Sequence, residues 1–189
     1  MEITHEWENG PEILHAEVDG DASLYEVKLL EPILEEPTGT GTAVDREGTI
    51  LKDNKGVYID KVHLPIYAKC SPTAKIMDEF INSAKENIYT PNSMLTYLYT
   101  MQGYNILFSA YKDGDYYKPH RDECKLTVLF WFGEKNFDGG DLYLPAFDYT
   151  IPYGPNKIFM FPSCYAHEVT PISTDQKGFV RYCASAFIN

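Results

Sequence analysis

The stretch Tyr111-Lys112-Asp113-Gly114-Asp115-Tyr116-Tyr117-Lys118-Pro119-His120-Arg121-Asp122 organises the reading of this chain. Side chains alternate along an extended segment, so His120 and Asp122, two residues apart, project to one face and are able to share a metal ion. A third ligand would complete a facial set of two histidines and one carboxylate, which leaves octahedral positions on Fe(II) open for substrate and dioxygen. His167 is the candidate. It follows the strand-like run Lys157-Ile158-Phe159-Met160-Phe161-Pro162-Ser163 and opens another extended piece, His167-Glu168-Val169-Thr170-Pro171. An aspartate two residues from a histidine arises often by chance, so the wider pattern has to carry the assignment.

On either side of this stretch, strand-like runs dominate the C-terminal half: 104–111, 126–132, 141–144, 157–161, 167–172 and 179–188, with Gly and Pro between them. Many short strands without a βα rhythm predict two antiparallel sheets closed into a jelly roll, mainly β with supporting helices. The clearest helix starts at Ser71, a suitable N-cap, with Pro72 at the first helical position. Ile76, Met77, Phe80, Ile81, Ala84 and Ile88 then form one apolar stripe that should pack on a sheet, and Pro91 ends it. Residues 93–102 suit either a short helix or a strand. Nearer the N-terminus, 12–18 and 24–30 read as strands around a turn at Asp19-Gly20-Asp21, and 56–64 as a further strand. The Gly-, Thr-, Asp- and Pro-rich segment 35–55 reads as a long loop, of the kind that often serves as a lid. A length of 189 residues suits one domain, with 1–103 supporting a core at 104–189.

Sixteen basic against 28 acidic residues give a formal net charge of −12, which opposes binding to nucleic-acid phosphates or anionic membranes. The acidic N-terminus, Met1-Glu2-Ile3-Thr4-His5-Glu6-Trp7-Glu8, lacks the apolar core of a secretory signal. The central apolar run 128–132 is far shorter than the roughly 20 residues that span a bilayer. Cys70, Cys124, Cys164 and Cys183 form no C-x-x-C pair and read as reduced thiols. These features together predict a cytoplasmic protein.

The pattern Tyr-x-x-Gly-x-x-Tyr-x-x-His-x-Asp, carried by Tyr111, Gly114, Tyr117, His120 and Asp122, resembles the first metal-ligand segment of the prolyl 4-hydroxylase-like branch of the 2-oxoglutarate/Fe(II) dioxygenases. Leu126-Thr127-Val128-Leu129-Phe130-Trp131-Phe132, Gly139-Gly140-Asp141-Leu142, Phe161-Pro162-Ser163 and His167-Glu168-Val169 resemble that family's successive core segments in the right order. The resemblance spans residues 104–188 and implies a double-stranded β-helix, the cupin-like jelly roll. It implies Fe(II) held by His120, Asp122 and His167, with 2-oxoglutarate and O2 as cosubstrates and ascorbate as an accessory reductant. The reaction implied is hydroxylation of a C–H bond coupled to conversion of 2-oxoglutarate to succinate and CO2, on a prolyl residue of a protein or peptide.

The distal carboxylate of 2-oxoglutarate needs a basic partner in an otherwise apolar pocket. Arg181, among apolar and small neighbours on the last strand, meets that need, since an arginine buried there without a carboxylate would be costly. Lys177 is the rival, at a spacing from His167 that the family often uses, but Asp175-Gln176-Lys177-Gly178 reads as a turn that projects it into solvent. Tyr111 resembles the tyrosine that helps to hold the cosubstrate. Thr127, Leu129 and Trp131 share one face of their strand and are the remaining cosubstrate candidates, although Trp131 stands where the family commonly has Tyr, and Cys183 where many relatives have Ser.

Two other classes fit parts of the pattern. A nucleic-acid demethylase of the same superfamily would want a basic channel with stacking aromatics; the 15 tyrosines suit it, but the charge does not. A non-enzymatic jelly-roll binding module would explain the strands without explaining His120, Asp122, His167 and Arg181 together. The expected partner is therefore an extended, proline-containing peptide, with segments 35–55 and 132–139 closing over it and the protein a monomer or weak homodimer.

Overall fold

The computed structural model describes residues 1–6, 10–35, 44–45, 47–62, 70–88 and 92–189. Its strands are β1 (Thr4–Glu6), β2 (Ile13–Glu17), β3 (Lys52–Asp53), β4 (Lys55–Tyr58), β5 (Tyr104–Tyr111), β6 (Tyr116–His120), β7 (Leu126–Phe132), β8 (Leu142–Leu144), β9 (Tyr149–Ile151), β10 (Lys157–Pro162), β11 (His167–Val169) and β12 (Arg181–Ile188). Helices α1 (Asp21–Leu30), α2 (Ile59–Val62) and α3 (Pro72–Asn87) accompany them. Among the described residues the strands form a seven-stranded sheet, β1-β2-β10-β7-β12-β5-β4, and a five-stranded sheet, β3-β6-β11-β8-β9. All pairings between these strands are antiparallel. This is the jelly-roll arrangement expected from the sequence.

Strand alternation divides the core in two. Val128, Phe130 and Phe132 of β7 and Tyr182, Ala184 and Ala186 of β12 pack with Val27 and Leu30 of α1 and Met77, Phe80, Ile81 and Ala84 of α3. Their neighbours of opposite parity, Leu129, Trp131 and Cys183, face the other way, into a second cluster with Leu142, Leu144 and Val169 from the smaller sheet. Burial on both faces explains why β7 is apolar at all but Thr127. The site lies on the second side, between the sheets.

The α3 stripe behaves as its spacing indicates. Ser71 caps the helix, its Oγ accepting from Ala74 N at 3.0 Å, and Pro72 occupies the first turn. Buried Glu26 of α1 accepts from Ser71 Oγ at 2.9 Å and Thr73 N at 3.2 Å, placing a carboxylate at the positive end of α3. Residues 93–102, open between helix and strand, form a 3-10 helix over Met94–Thr100.

Several expectations need correction. Segment 24–30 is not a strand but the body of α1. Ser23, Glu26, Val27 and Leu30 are buried at three- and four-residue steps while Tyr25 and Leu29 stay exposed, and the strand reading mistook this for alternation. The strand at 56–64 stops at Tyr58 and turns into α2; residues 63 and 64 lie outside the described residues, as does Pro91. Segment 35–55 is not wholly a loop: Glu35 bridges to Gly56, Val44 to Ile50, and β3 pairs with β6. Its stretch 36–43 lies outside the described residues. Segment 132–139, read as a flap, is anchored at its end, where Phe137 is buried and Asp138 bridges to Ser173. No helix among the described residues is long and apolar enough to cross a membrane.

Candidate active site

β6 and β11 pair so that His120 lies directly opposite His167, and Asp122 follows two residues beyond the strand end. His120 Nε2 lies 3.6 Å from Asp122 Oδ1, and His167 Nε2 lies 3.5 Å from Asp122 Oδ2. The three donor atoms all fall within 4.8 Å of one another. The other ring nitrogens face backbone carbonyls: His120 Nδ1 is 2.8 Å from Lys118 O, and His167 Nδ1 is 3.1 Å from Tyr165 O. A carbonyl only accepts, so each Nδ1 carries the proton and each Nε2 turns its lone pair toward the shared centre.

Packing holds this geometry. The Tyr117 ring stacks on His120 at 3.5 Å between centroids, and Phe161 meets His167 edge-on. Thr127 Oγ1 donates to Asp122 Oδ2 at 2.6 Å, and Ser163 Oγ lies 2.9 Å from both Thr127 Oγ1 and Cys124 Sγ. Thr127, expected among the cosubstrate residues, thus lies behind the carboxylate and not in the cavity lining.

Burial first, and the adjacent His167 second, push the His120 imidazole down to about 3. In the unfolded chain the same group titrates near 6.5. Between these values the unfolded state binds a proton that the folded, metal-free state refuses. This group's contribution is therefore intact above the unfolded value and is lost as pH falls, at about 1.4 kcal/mol per pH unit. Urea unfolding of metal-free protein from about pH 7 to about pH 5 is expected to show that loss, with a shallower slope in His120→Asn. Equal slopes would contradict it.

The cavity beside these donors runs between the sheets to Arg181 and is lined by Leu129, Leu142, Val169, Tyr111 and Cys183 among others. Arg181 is 1% exposed, and its Nε donates to Gly140 O at 2.9 Å. The guanidinium carbon lies 4.6 Å from the Tyr111 ring centre, 5.3 Å from Tyr153 and 5.6 Å from Trp131. Arg181 Nη1 and Trp131 Nε1 are buried donors with no hydrogen-bond partner. Burial drives the Tyr111 and Tyr153 phenols well above their ordinary range, although Arg181 opposes the shift, so both stay protonated. Gly140, at φ +69°, leaves room for the arginine; a Cβ there would meet Arg181 Cδ at 2.9 Å.

The structure thus brings His120, Asp122, His167, Tyr111, Leu129 and Arg181 to one cavity, sets Trp131 against Arg181, and leaves Lys177 exposed on the surface. Tyr153, Lys52 and Asn54 join the site without having been anticipated. None lies in a periodic run that points at it; each arrives through the tertiary fold.

Residues 106–189 match the family model described as the 2OG-Fe(II) oxygenase superfamily. No curated protein matches the chain in sequence. Among solved structures, a prolyl-4-hydroxylase of Pseudomonas putida is similar with a TM-score of 0.63 and 15% identity, covering 94% of this chain and 92% of that one. A viral collagen prolyl hydroxylase from Paramecium Bursaria Chlorella virus-1, in complex with 2OG, has a TM-score of 0.53 and 18% identity, covering 92% and 94%. An oxidoreductase of the 2OG-Fe(II) oxygenase family from Burkholderia pseudomallei has a TM-score of 0.52 and 13% identity, covering 94% and 84%. At these identities the structures establish a shared fold, while the family model bears on the stretch that holds the cluster and Arg181. The match thus places the His-Asp-His cluster and Arg181 within a stretch similar to the 2OG-Fe(II) oxygenase superfamily, whose members work with Fe(II), 2-oxoglutarate and O2, and it supports a dioxygenase enzyme.

Proposed function

We propose that this dioxygenase hydroxylates prolyl residues in extended peptides or proteins, with His120, Asp122 and His167 holding Fe(II) and Arg181 holding 2-oxoglutarate. The observation that carries the reading is one cavity with a His-Asp-His cluster at one place and a buried arginine with an unpaired Nη1 at another. Two neutral imidazoles and a carboxylate suit Fe(II), and an unpaired guanidinium N–H suits a carboxylate. When bound, iron and 2-oxoglutarate supply the oxidative chemistry that the protein cannot.

The chain's own residues bind, orient and shield. Thr127 fixes the Asp122 carboxylate through Oδ2. Arg181, steadied by Gly140 O, presents its free N–H to the distal carboxylate, and the neutral Tyr111 phenol serves as a second donor. Leu129, Leu142 and Val169 keep water from the space between. On the outer side, a groove lined by Gln102, Tyr104, Asn105 and Glu123 shares Tyr58, Asp122 and Phe187 with the cavity. A peptide laid in this groove would pass the metal, with aromatic rings available to stack on a proline. Two of the neighbouring structures are, by their names, prolyl hydroxylases, which supports proline as the target.

Mass spectrometry on proline-containing peptides and methylated oligonucleotides, incubated with enzyme, Fe(II) and 2-oxoglutarate, tests the reading. One oxygen atom added to proline is the expected result. Turnover of oligonucleotides with every peptide untouched would overturn it.

A further inference from the structure

Lys52 and Asn54 are among the polar side chains of the cavity that lie outside the roles assigned so far. Lys52 belongs to β3, the edge strand of the smaller sheet, where it pairs in register with Tyr117. Its Nζ sits 5.2 Å from the centre of the Tyr117 ring, the same ring that stacks on His120. Asn54 lies where the chain crosses from β3 to β4, and so from the smaller sheet to the larger. It is 3% exposed, lines the cavity, and its Oδ1 is buried without a hydrogen-bond partner.

Among the described residues that line the cavity, only Lys52, Asp122 and Arg181 carry formal charge when the histidines are neutral. With Asp122 on a divalent iron and a doubly charged 2-oxoglutarate reaching to Arg181, those charges cancel. Lys52 is left as one positive charge in excess. No described carboxylate is in salt-bridge contact with it. Burial works against its charge more than Asp122 favours it, and a metal held by Asp122 would take up that support, so an ammonium left there with no further anion is costly. The buried acceptor of Asn54 calls in the same way for a donor.

Resting on the hydroxylase reading above, we propose that the peptide substrate carries an aspartate or glutamate beside the target proline. Lys52 pairs with its carboxylate, and Asn54 Oδ1 accepts a backbone N–H of the same peptide. The preference opposes the protein's overall charge of −12 and the Glu123 of the outer groove, because Lys52 lines the inner cavity, beyond that groove, where the target residue would enter. Lys52 then selects by charge, while Asn54 strengthens every peptide alike.

The test uses short proline-containing peptides identical except for Glu, Gln or Lys beside the proline. Binding is measured by calorimetry without O2, on protein loaded with Fe(II) and 2-oxoglutarate, and hydroxylation in parallel with O2. The Glu peptide is expected to bind about tenfold more tightly than the Gln peptide, as for a partly desolvated charge pair. That margin should vanish in Lys52→Ala and reverse toward the Lys peptide in Lys52→Glu, while Asn54→Ala weakens all three equally. Direct calorimetry of 2-oxoglutarate on Lys52→Ala should match wild type. Peptide preferences untouched by Lys52→Ala, or a loss of 2-oxoglutarate affinity in their place, would overturn the proposal. Charge-dependent binding without proline hydroxylation would uphold Lys52 and overturn the hydroxylase reading. Hydroxylation with no charge dependence would do the reverse, and neither would overturn both.

Discussion

Arg181→Ala is expected to weaken 2-oxoglutarate binding roughly thirty- to several-thousand-fold, the usual loss when one partner of a buried, charge-assisted pair is removed. Lys177→Ala is expected to leave it unchanged. Arg181 is almost fully buried, held by Gly140 O and three aromatic rings, with an N–H directed to no protein acceptor. Lys177 is exposed beyond the cavity lining. Calorimetric titration of 2-oxoglutarate into both variants checks this. Small and equal effects would remove Arg181 from the role, and a loss only at Lys177 would exchange the two.

Loss of Fe(II) binding in His120→Ala, Asp122→Ala and His167→Ala is the second large effect expected. Each substitution removes one of three donors that face a single point. Disturbing a residue that merely supports a metal ligand typically costs about 10- to 100-fold in affinity, so deleting a ligand should exceed that. Thr127→Val should fall within the smaller range, because it takes away the hydrogen bond that orients Asp122 but leaves the carboxylate. Anaerobic titration with Fe(II), with circular dichroism to establish folding, separates these cases. Wild-type affinity in Asp122→Ala would refute the ligand set.

The core strands were legible in the sequence because their burial is written into them. β7 is buried at every position and apolar at all but Thr127, since one face meets the helices and the other the smaller sheet, and β12 beyond Arg181 is small or apolar for the same reason. The short spacing of His120 and Asp122 was legible too, whereas the approach of His167 depends on the pairing of β6 with β11, which only the order of the motifs suggested. Thr127, Leu129 and Trp131 do share a face, but the strand spans enough length that Thr127 reaches Asp122 while Trp131 reaches Arg181. Tyr153 and Asn54 could not be read, because irregular segments bring them to the site. Segment 24–30 misled because a short amphipathic helix and a mixed strand share apolar positions until burial separates them.

The most direct measurement is the paired yield of succinate and hydroxyproline from one reaction containing enzyme, Fe(II), 2-oxoglutarate, O2 and a proline peptide. Equal amounts of the two products, both abolished by Asp122→Ala, are expected. Succinate that never rises with peptide, or hydroxyproline formed as well by Asp122→Ala as by wild type, would contradict the assignment of this cavity as a prolyl hydroxylase site.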